Sequence, residues 1–322
     1  DMNTVGTDNE SGKMSPVKML TTTFGDELRL FSMNRSKVIS IGLKDRSAVL
    51  PGGHMANFAF WLDSETGDFV SSSYYGLRLP KWAQKFNKKD LCEAYLSEKW
   101  ELLLPSKAYD ESLNDNSAYE EPFAGQKFPK FPHDLPELLK ENGKGLIKAT
   151  PYGNTLTKDM AIAAIEGEGL GEDIHTDLLA VSFSSPDYVG HQFGTDSKEI
   201  QDTYLRLDRD LESFLSYLDD QIGKENGIVV VDDAIVIGEH AEYLRKKRNI
   251  PIESAAILAA KRMGPPVISA MLTTVAAFLP LFMIKGIIGV IIGAIPAVVC
   301  AVLLASLIEC FFILPAHLGH YG

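Results

Sequence analysis

The sequence predicts an α/β fold in its first two thirds, a sheet covered by helices, followed by an all-α helical hairpin. Short β-branched runs alternate with amphipathic helical patterns up to residue 227, which is typical of an α/β sheet. The charge changes at the same place, because residues 1–227 hold 37 acidic and 24 basic side chains and residues 228–322 hold six and seven. Two uncharged runs, 263–284 and 286–308, are each long enough to cross a bilayer.

Composition and the first residues of the chain argue against several classes of protein. The N-terminal part is acidic and has no basic stripe, so we expect no nucleic-acid partner. Three cysteines, two of them in the apolar C-terminal part, make no disulfide framework. The first residues show no signal peptide and no initiator methionine, so we expect the chain to start inside a longer protein.

Short patterns of residue types predict the first strands and helices of the α/β part. Residues 36–43 form a β-branched run between polar residues and predict a buried strand. Residues 58–75 alternate aromatic and small polar side chains, which predicts a strand and a turn. Short helices are expected over 79–86, with a proline in the first turn, and over 90–100, with Asp90 as the N-cap.

The later elements include one long irregular stretch. Residues 105–136 are rich in Pro, Asp, Asn and Tyr, which predicts a surface excursion, and His133 within it is expected to be structural. A helix is expected from Asn154 to a group of glycines. The apolar run 177–183 predicts a strand covered on both faces, and apolar residues three and four apart over 200–218 predict an amphipathic helix.

Two cations follow the strand predicted over 36–43. Lys44 and Arg46 are two residues apart, which on an extended segment places both on one side. A lysine point charge and a planar guanidinium together suit the oxygens of a phosphate group. The alternative, which the spacing alone leaves open, is two solvated charges at the end of a strand.

A carboxylate and an imidazole follow the strand predicted over 177–183. Asp187 and His191 are four residues apart, so they face the same way if a helical turn begins here. Open α/β sheets bind ligands at the carboxyl ends of their strands. The pair can therefore hold one divalent metal, and N/O ligation suits zinc. An ordinary pair of surface residues remains the alternative.

An acidic pair lies in the apolar run 227–238. Asp232 and Asp233 lie within a run of Ile, Val and Ala, where ionised carboxylates are costly unless they are paired or functional. The simpler reading is a buried strand over 228–231 that ends in a polar turn.

The motifs around the first two sites resemble a known family. Ser-Ser-Pro-Asp-Tyr-Val-Gly-His-Gln-Phe-Gly at 184–194 and Leu-Lys-Asp-Arg-Ser-Ala-Val-Leu-Pro-Gly-Gly-His at 43–54 look like those of threonine-nucleophile alkaline phosphatases, in the type I phosphodiesterase/nucleotide pyrophosphatase group. The resemblance covers residues 1–227 and implies a partial alkaline-phosphatase-like sheet between helices. It implies a phosphate ester substrate whose phosphoryl oxygens contact Lys44 and Arg46. It also implies that Asp187, His191 and, at the family's next metal position, Asp232 ligate zinc.

The resemblance is incomplete. The family's nucleophilic threonine, one metal-binding aspartate and one asparagine precede the point where this chain begins, and Asp233 replaces a metal-binding histidine. The two-zinc site is therefore expected to be incomplete, and we expect little phosphatase turnover from the chain as it stands.

The remainder, residues 228–322, resembles the resistance-nodulation-division efflux permeases. The run Val-Val-Asp-Asp-Ala-Ile-Val at 230–236 looks like their fourth transmembrane helix, where an aspartate pair relays protons. This resemblance implies an alternative function as a component of a proton-coupled membrane transporter, with Asp232 and Asp233 as the relay. It implies lipid contact through 263–314, a permease-type oligomer and an inner-membrane location with the phosphatase-like part in the periplasm.

The two resemblances meet at residues 227–228 without a linker. Linkers between domains are usually rich in Pro, Gly or polar residues. We therefore interpret the chain as two joined fragments, 1–227 and 228–322. Residues 228–231 are expected to form a strand beside 178–183, and the alternative is one continuous helix over 228–238.

Overall fold

A mixed five-stranded sheet forms the centre of the N-terminal unit in this computed structural model, which describes residues 2–110 and 112–230. The chain divides into two compact units, Asp1–Gly227 and Ile228–Gly322. The strand order is β1-β4-β3-β2-β5. The strands are β1 Thr4–Val5, β2 Val38–Gly42, β3 Phe58–Leu62, β4 Phe69–Ser72 and β5 Leu178–Ser182.

The three strands that matter for the site are parallel. β2 pairs with β3 from Ile39 opposite Phe58, and with β5 from Val38 opposite Leu178. β4 runs antiparallel to β3 and β1. Every residue of β2 is buried, as expected for a parallel strand with both faces covered.

Helices cover both faces of this sheet. Side chains on one face of β2 and β3 join the main core, in which helix α6 contributes its apolar residues. The opposite face of β3, with Ala59 and Trp61, packs against Ala48 and Val49 of α2. The helices are α1 Phe24–Phe31, α2 Asp45–Gly52, α3 Lys81–Asn87, α4 Leu91–Leu96, α5 Leu135–Asn142, α6 Tyr152–Glu168, α7 Ser185–Phe193 and α8 Lys198–Ile222.

Most elements agree with the sequence patterns. The run 36–43 contains β2, the 58–75 pattern contains β3 and β4, and the 177–183 run contains β5. Asp90 is the N-cap of α4 and accepts a hydrogen bond from the backbone of Glu93. The α/β class, with a mixed sheet between helices, is therefore confirmed for the described residues.

The stretch 105–136 is more than a surface excursion. It includes a short helical turn, Ser106–Tyr109, and its side chains Tyr109, Phe123 and His133 are buried. His133 lies among the rings of Trp100, Phe123, Phe131 and Phe193, at centroid distances between 4.9 and 5.8 Å. The prediction failed because the stretch has no regular period, although its aromatic side chains return to the core. The structural role expected for His133 agrees with this position.

Within this part of the core, His133 forms a hydrogen bond with Glu199. His133 Nε2 lies 3.0 Å from Glu199 Oε1, and neither side chain is exposed. Burial raises the pKa of Glu199 to about 8 and lowers the pKa of His133 to about 4. Burial thus favours the neutral form of both groups, and in that form a protonated Glu199 carboxyl can donate to Nε2.

This pair predicts a pH-dependent stability. Because the folded pKa of Glu199 lies above its ordinary value of 4.5, its stabilising contribution is full below pH 4.5 and is lost as the pH rises through about 8. The lowered pKa of His133 has the opposite effect, but only below pH 6.5. Between pH 6.5 and 8 we expect the free energy of unfolding to fall by about 1 kcal/mol per pH unit.

Urea unfolding followed by tryptophan fluorescence measures this slope, because all three tryptophans lie between residues 61 and 100. Glu199→Gln keeps a hydrogen-bond donor for His133 but cannot ionise, so most of the slope should disappear in this variant. The neighbouring charged groups Asp115, Lys198 and Asp202 are unchanged in the comparison, and so is Glu120, whose own pKa is raised by burial to about 7, so the difference between the two slopes reports Glu199. Equal slopes in the two proteins would show that Glu199 is not the responsible group.

Two expectations for the C-terminal part are not met. The strand predicted over 228–231 is absent from its three described residues, which lie outside all strands. An apolar β-branched run favours a strand locally, but a strand also needs a neighbour with which to pair. The inner-membrane location is contradicted, because none of the described helices combines the length and apolar character required to cross a membrane. The hairpin expected over 263–314 lies outside the described residues.

Candidate active site

The ends of two parallel neighbouring strands form the site. Gly42, the last residue of β2, is paired with Ser182, the last residue of β5. Lys44 follows β2 by two residues, and α7 begins at Ser185, three residues after β5. Because parallel strands end at the same edge, residues far apart in the sequence meet there.

Helix α7 carries the carboxylate and the imidazole. The side-chain oxygen of Asn154, in α6, accepts a hydrogen bond of 3.2 Å from the backbone N–H of Ser185 and so anchors the start of the helix. Pro186 occupies the first turn, where its missing N–H is not needed. Asp187 lies in the first turn and His191 in the last, positions that each suit the helix dipole.

Three side chains of the candidate site are in contact. Asp187 Oδ1 lies 3.3 Å from His191 Nε2, and the Lys44 ammonium donates to Asp187 Oδ2. Lys44 is largely buried, with 16% of its side chain exposed, whereas 58% of His191 is exposed. The site therefore lies at the surface, with its cation on the inner side and its imidazole on the solvent side.

The expectation that Lys44 and Arg46 share an extended segment is wrong. Lys44 is extended, but it is the N-cap of α2, and Arg46 lies in the first turn of that helix. An acidic residue in the first turn and the hydrogen bond of 2.8 Å from Ser47 Oγ to the Lys44 carbonyl favour a helix start here. Arg46 is exposed, while Lys44 reaches inward to Asp187.

Tyr188 lies beside Lys44. The Lys44 ammonium lies 4.6 Å from the centroid of the Tyr188 ring. Burial raises the pKa of Tyr188, and the positive charge of Arg46 opposes that rise. The sequence patterns gave Tyr188 no role, and the signal available was an aromatic residue directly after the candidate metal ligand Asp187.

The donor pair fits a zinc ion. Two ligands of a tetrahedral zinc, each about 2.0–2.1 Å from the metal, lie about 3.3–3.4 Å from each other. The Asp187–His191 distance of 3.3 Å has this value. Across residues 2–110 and 112–230 there is no group of three or more His, Cys, Asp or Glu side chains that could hold a metal. The described residues therefore supply two donors, and the predicted third, Asp232, lies outside them together with Asp233.

Two family models match the chain. The model of the type I phosphodiesterase / nucleotide pyrophosphatase family matches residues 17–240. The model of the AcrB/AcrD/AcrF family matches residues 226–320. The two matches overlap only over residues 226–240, close to the junction predicted from the sequence.

Curated relatives match the N-terminal part. "Alkaline phosphatase PhoV" of Synechococcus elongatus is 49% identical over 223 residues, which are 69% of this chain and 40% of that protein. "Alkaline phosphatase PafA" of Elizabethkingia meningoseptica is 47% identical over 225 residues, 69% of this chain and 41% of that protein. A protein of Myroides odoratus described as a "Calcium-transporting ATPase" is 52% identical over 224 residues, 69% of this chain and 41% of that protein.

Solved structures give the same result. The crystal structure of wild-type alkaline phosphatase PafA is 46% identical with a TM-score of 0.68, and the match covers 70% of this chain and 44% of that one. A second structure, 45% identical, is a PafA mutant with four substitutions, among them a lysine and an arginine two positions apart, as Lys44 and Arg46 are. The chain spans less than half the length of the relatives that it matches.

Proposed function

The chain belongs to the type I phosphodiesterase / nucleotide pyrophosphatase family, and from this membership we propose that its N-terminal unit binds the phosphoryl group of a phosphate monoester beside a zinc ion. Two of the relatives near 50% identity are alkaline phosphatases, and each match covers 69% of this chain. The unit is thus an alkaline-phosphatase-like phosphoester hydrolase fragment.

One observation carries this proposal. Lys44 follows one strand and the Asp187–His191 pair follows its neighbour, and the three side chains meet at one point. There the Lys44 ammonium contacts Asp187, and the other oxygen of Asp187 lies 3.3 Å from His191 Nε2. A phosphoryl group must touch a metal and cations at once if its charge is to be balanced during transfer. The lysine and arginine replaced together in the PafA mutant have the spacing of Lys44 and Arg46, which supports the same assignment.

The chain's own residues have distinct tasks in this proposal. Asp187 and His191 would hold the zinc ion, which would supply a Lewis acid for a phosphoryl oxygen. Lys44 and Arg46 contact the remaining oxygens and neutralise their charge. Arg46 is exposed in the first turn of α2, so its guanidinium can turn toward a ligand without leaving a packed position.

Removal of Lys44 tests this assignment. A hydrogen bond to a charged group contributes about 1.5–3 kcal/mol, so Lys44→Ala should weaken the binding of inorganic phosphate about 10- to 100-fold. Isothermal titration calorimetry of the zinc-loaded full chain with inorganic phosphate measures this change. Lys107→Ala, which removes the same charge at an exposed position, is the matched control. Equal phosphate affinities in the two variants would refute the proposal.

The low turnover expected from the sequence is part of the proposal. Hydrolysis in this family uses two metals, and the described residues gather two donors, enough for part of one metal site. We therefore expect phosphate binding to be measurable while hydrolysis of an aryl phosphate stays near the background. Zinc-dependent hydrolysis that His191→Ala abolishes would contradict this expectation.

A second candidate function belongs to the C-terminal part. The match of residues 226–320 to the AcrB/AcrD/AcrF model favours a fragment of a proton-coupled transporter, with Asp232 and Asp233 as the proton relay. Together the two matches support a chain that joins fragments of two families. Sequencing a single DNA molecule across the codons for residues 215–240 tests the join, because separate genes in that molecule would exclude it.

A further inference from the structure

Two groups from the first half of α7 contact the Lys44 ammonium. Asp187 accepts its hydrogen bond, and the ring of Tyr188 lies 4.6 Å from it. Adjacent residues of a helix point about 100° apart, so the carboxylate and the ring approach the ammonium from different sides. An ammonium over the face of an aromatic ring is attracted by the ring quadrupole.

The two neighbours respond differently when a cation binds at the site. Zinc would take electron density from Asp187, whose Oδ1 already faces His191 at 3.3 Å. The same carboxylate would then attract Lys44 less, and the two positive charges would repel each other. The attraction of the Tyr188 ring does not depend on Asp187, so it would persist when a metal is bound.

We propose that Tyr188 is a positioning residue for Lys44, whose ring keeps the ammonium directed at the phosphoryl site while Asp187 is occupied by a metal. The proposal rests on the proposed function, because it assumes that Lys44 contacts a phosphoryl oxygen. Tyr188 itself touches no reacting atom and acts through the lysine. Its ring is partly buried, and the side chain of Lys44 is 16% exposed, so the two groups have little freedom to separate.

Two variants of Tyr188 isolate the contribution of the ring. Tyr188→Phe keeps the ring and loses the hydroxyl, whereas Tyr188→Leu keeps an apolar side chain and loses the ring. The ring current of Tyr188 should shift the NMR signals of the Lys44 ε-methylene protons upfield. We expect Tyr188→Phe to keep this shift and Tyr188→Leu to lose it, with and without zinc.

Calorimetric titration with inorganic phosphate supplies the second readout. In the zinc-loaded full chain, Tyr188→Leu should weaken phosphate binding about three- to tenfold, and Tyr188→Phe should retain the wild-type affinity. A merely structural role would not link the NMR shift of Lys44 to the phosphate affinity in this way.

The outcomes separate this inference from the proposed function. If Lys44→Ala weakens phosphate binding but Tyr188→Leu leaves it unchanged, the inference about Tyr188 is wrong and the proposed function stands. If Tyr188→Leu keeps the Lys44 shift, the ring contact itself is wrong. If Lys44→Ala leaves phosphate binding unchanged, the proposed function fails and the inference fails with it.

Discussion

Replacement of Asp202 by alanine is expected to lower the free energy of unfolding of the N-terminal unit by about 3–5 kcal/mol. Asp202 lies in α8 and is fully buried. Its Oδ2 accepts from Trp100 Nε1 at 2.8 Å and from Arg206 Nε at 2.7 Å. Its Oδ1 accepts from the Leu103 backbone at 2.8 Å and from the Tyr109 hydroxyl at 2.5 Å.

The size of this effect follows from the donors that the substitution would leave behind. Each buried donor without a partner costs about 1–3 kcal/mol, and Asp202→Ala leaves several at once. Single domains are stable by only about 5–15 kcal/mol, so the variant would be close to unfolding. Urea unfolding followed by tryptophan fluorescence provides the measurement. Asp208→Ala, an exposed position in the same helix, should change the stability by less than about 0.5 kcal/mol.

A loss of about 2–5 kcal/mol is expected for Gly53→Ala, from two independent causes. Gly53 has φ of 72° and ψ of −160°, a region that only glycine enters readily, at a cost of about 1–3 kcal/mol for other residues. A Cβ atom at this position would also lie 2.6 Å from Asp26 Oδ2. Asp26 is buried and accepts from the backbones of Thr23 and Met55, so it cannot move without losing these bonds.

The neighbouring glycine is the matched control for this prediction. Gly52 is the last residue of α2, and a Cβ there would meet Ser40 Cβ at 3.2 Å, which requires a shift of a few tenths of an ångström. Alanine also favours the helix over glycine by about 1 kcal/mol, so Gly52→Ala should have a small net effect. The same loss of stability in both variants would show that neither the backbone conformation of Gly53 nor Asp26 is responsible.

Much of the site could be predicted because its signals are local or topological. The apolar runs that became β2 and β5 are short and continuous, and their parallel pairing brings Lys44 and Asp187 to one edge. The four-residue spacing of Asp187 and His191 fixes their common side once α7 forms. The family match adds the expected chemistry.

The remaining features depend on contacts that no local pattern encodes. The extended segment expected for Lys44 and Arg46 rests on their two-residue spacing, yet an Asp at the start of the run and Ser47 favour a helix. His133 is buried because four aromatic rings from distant positions surround it. Helix α1 had a readable signal, the capping box of Thr23 and Asp26, but the further bond from Asp26 to Met55 is tertiary.

The dependence of phosphate affinity on zinc tests the central claim most directly, namely that Asp187 and His191 hold a metal beside Lys44. Calorimetric titration of the full chain with inorganic phosphate, with and without one equivalent of zinc, is compared between the wild type and His191→Ala. We predict that zinc tightens phosphate binding in the wild type and has no effect in His191→Ala, because the variant keeps Lys44 but loses one of the two donors. The same tightening in both proteins, or none in the wild type, would contradict the account.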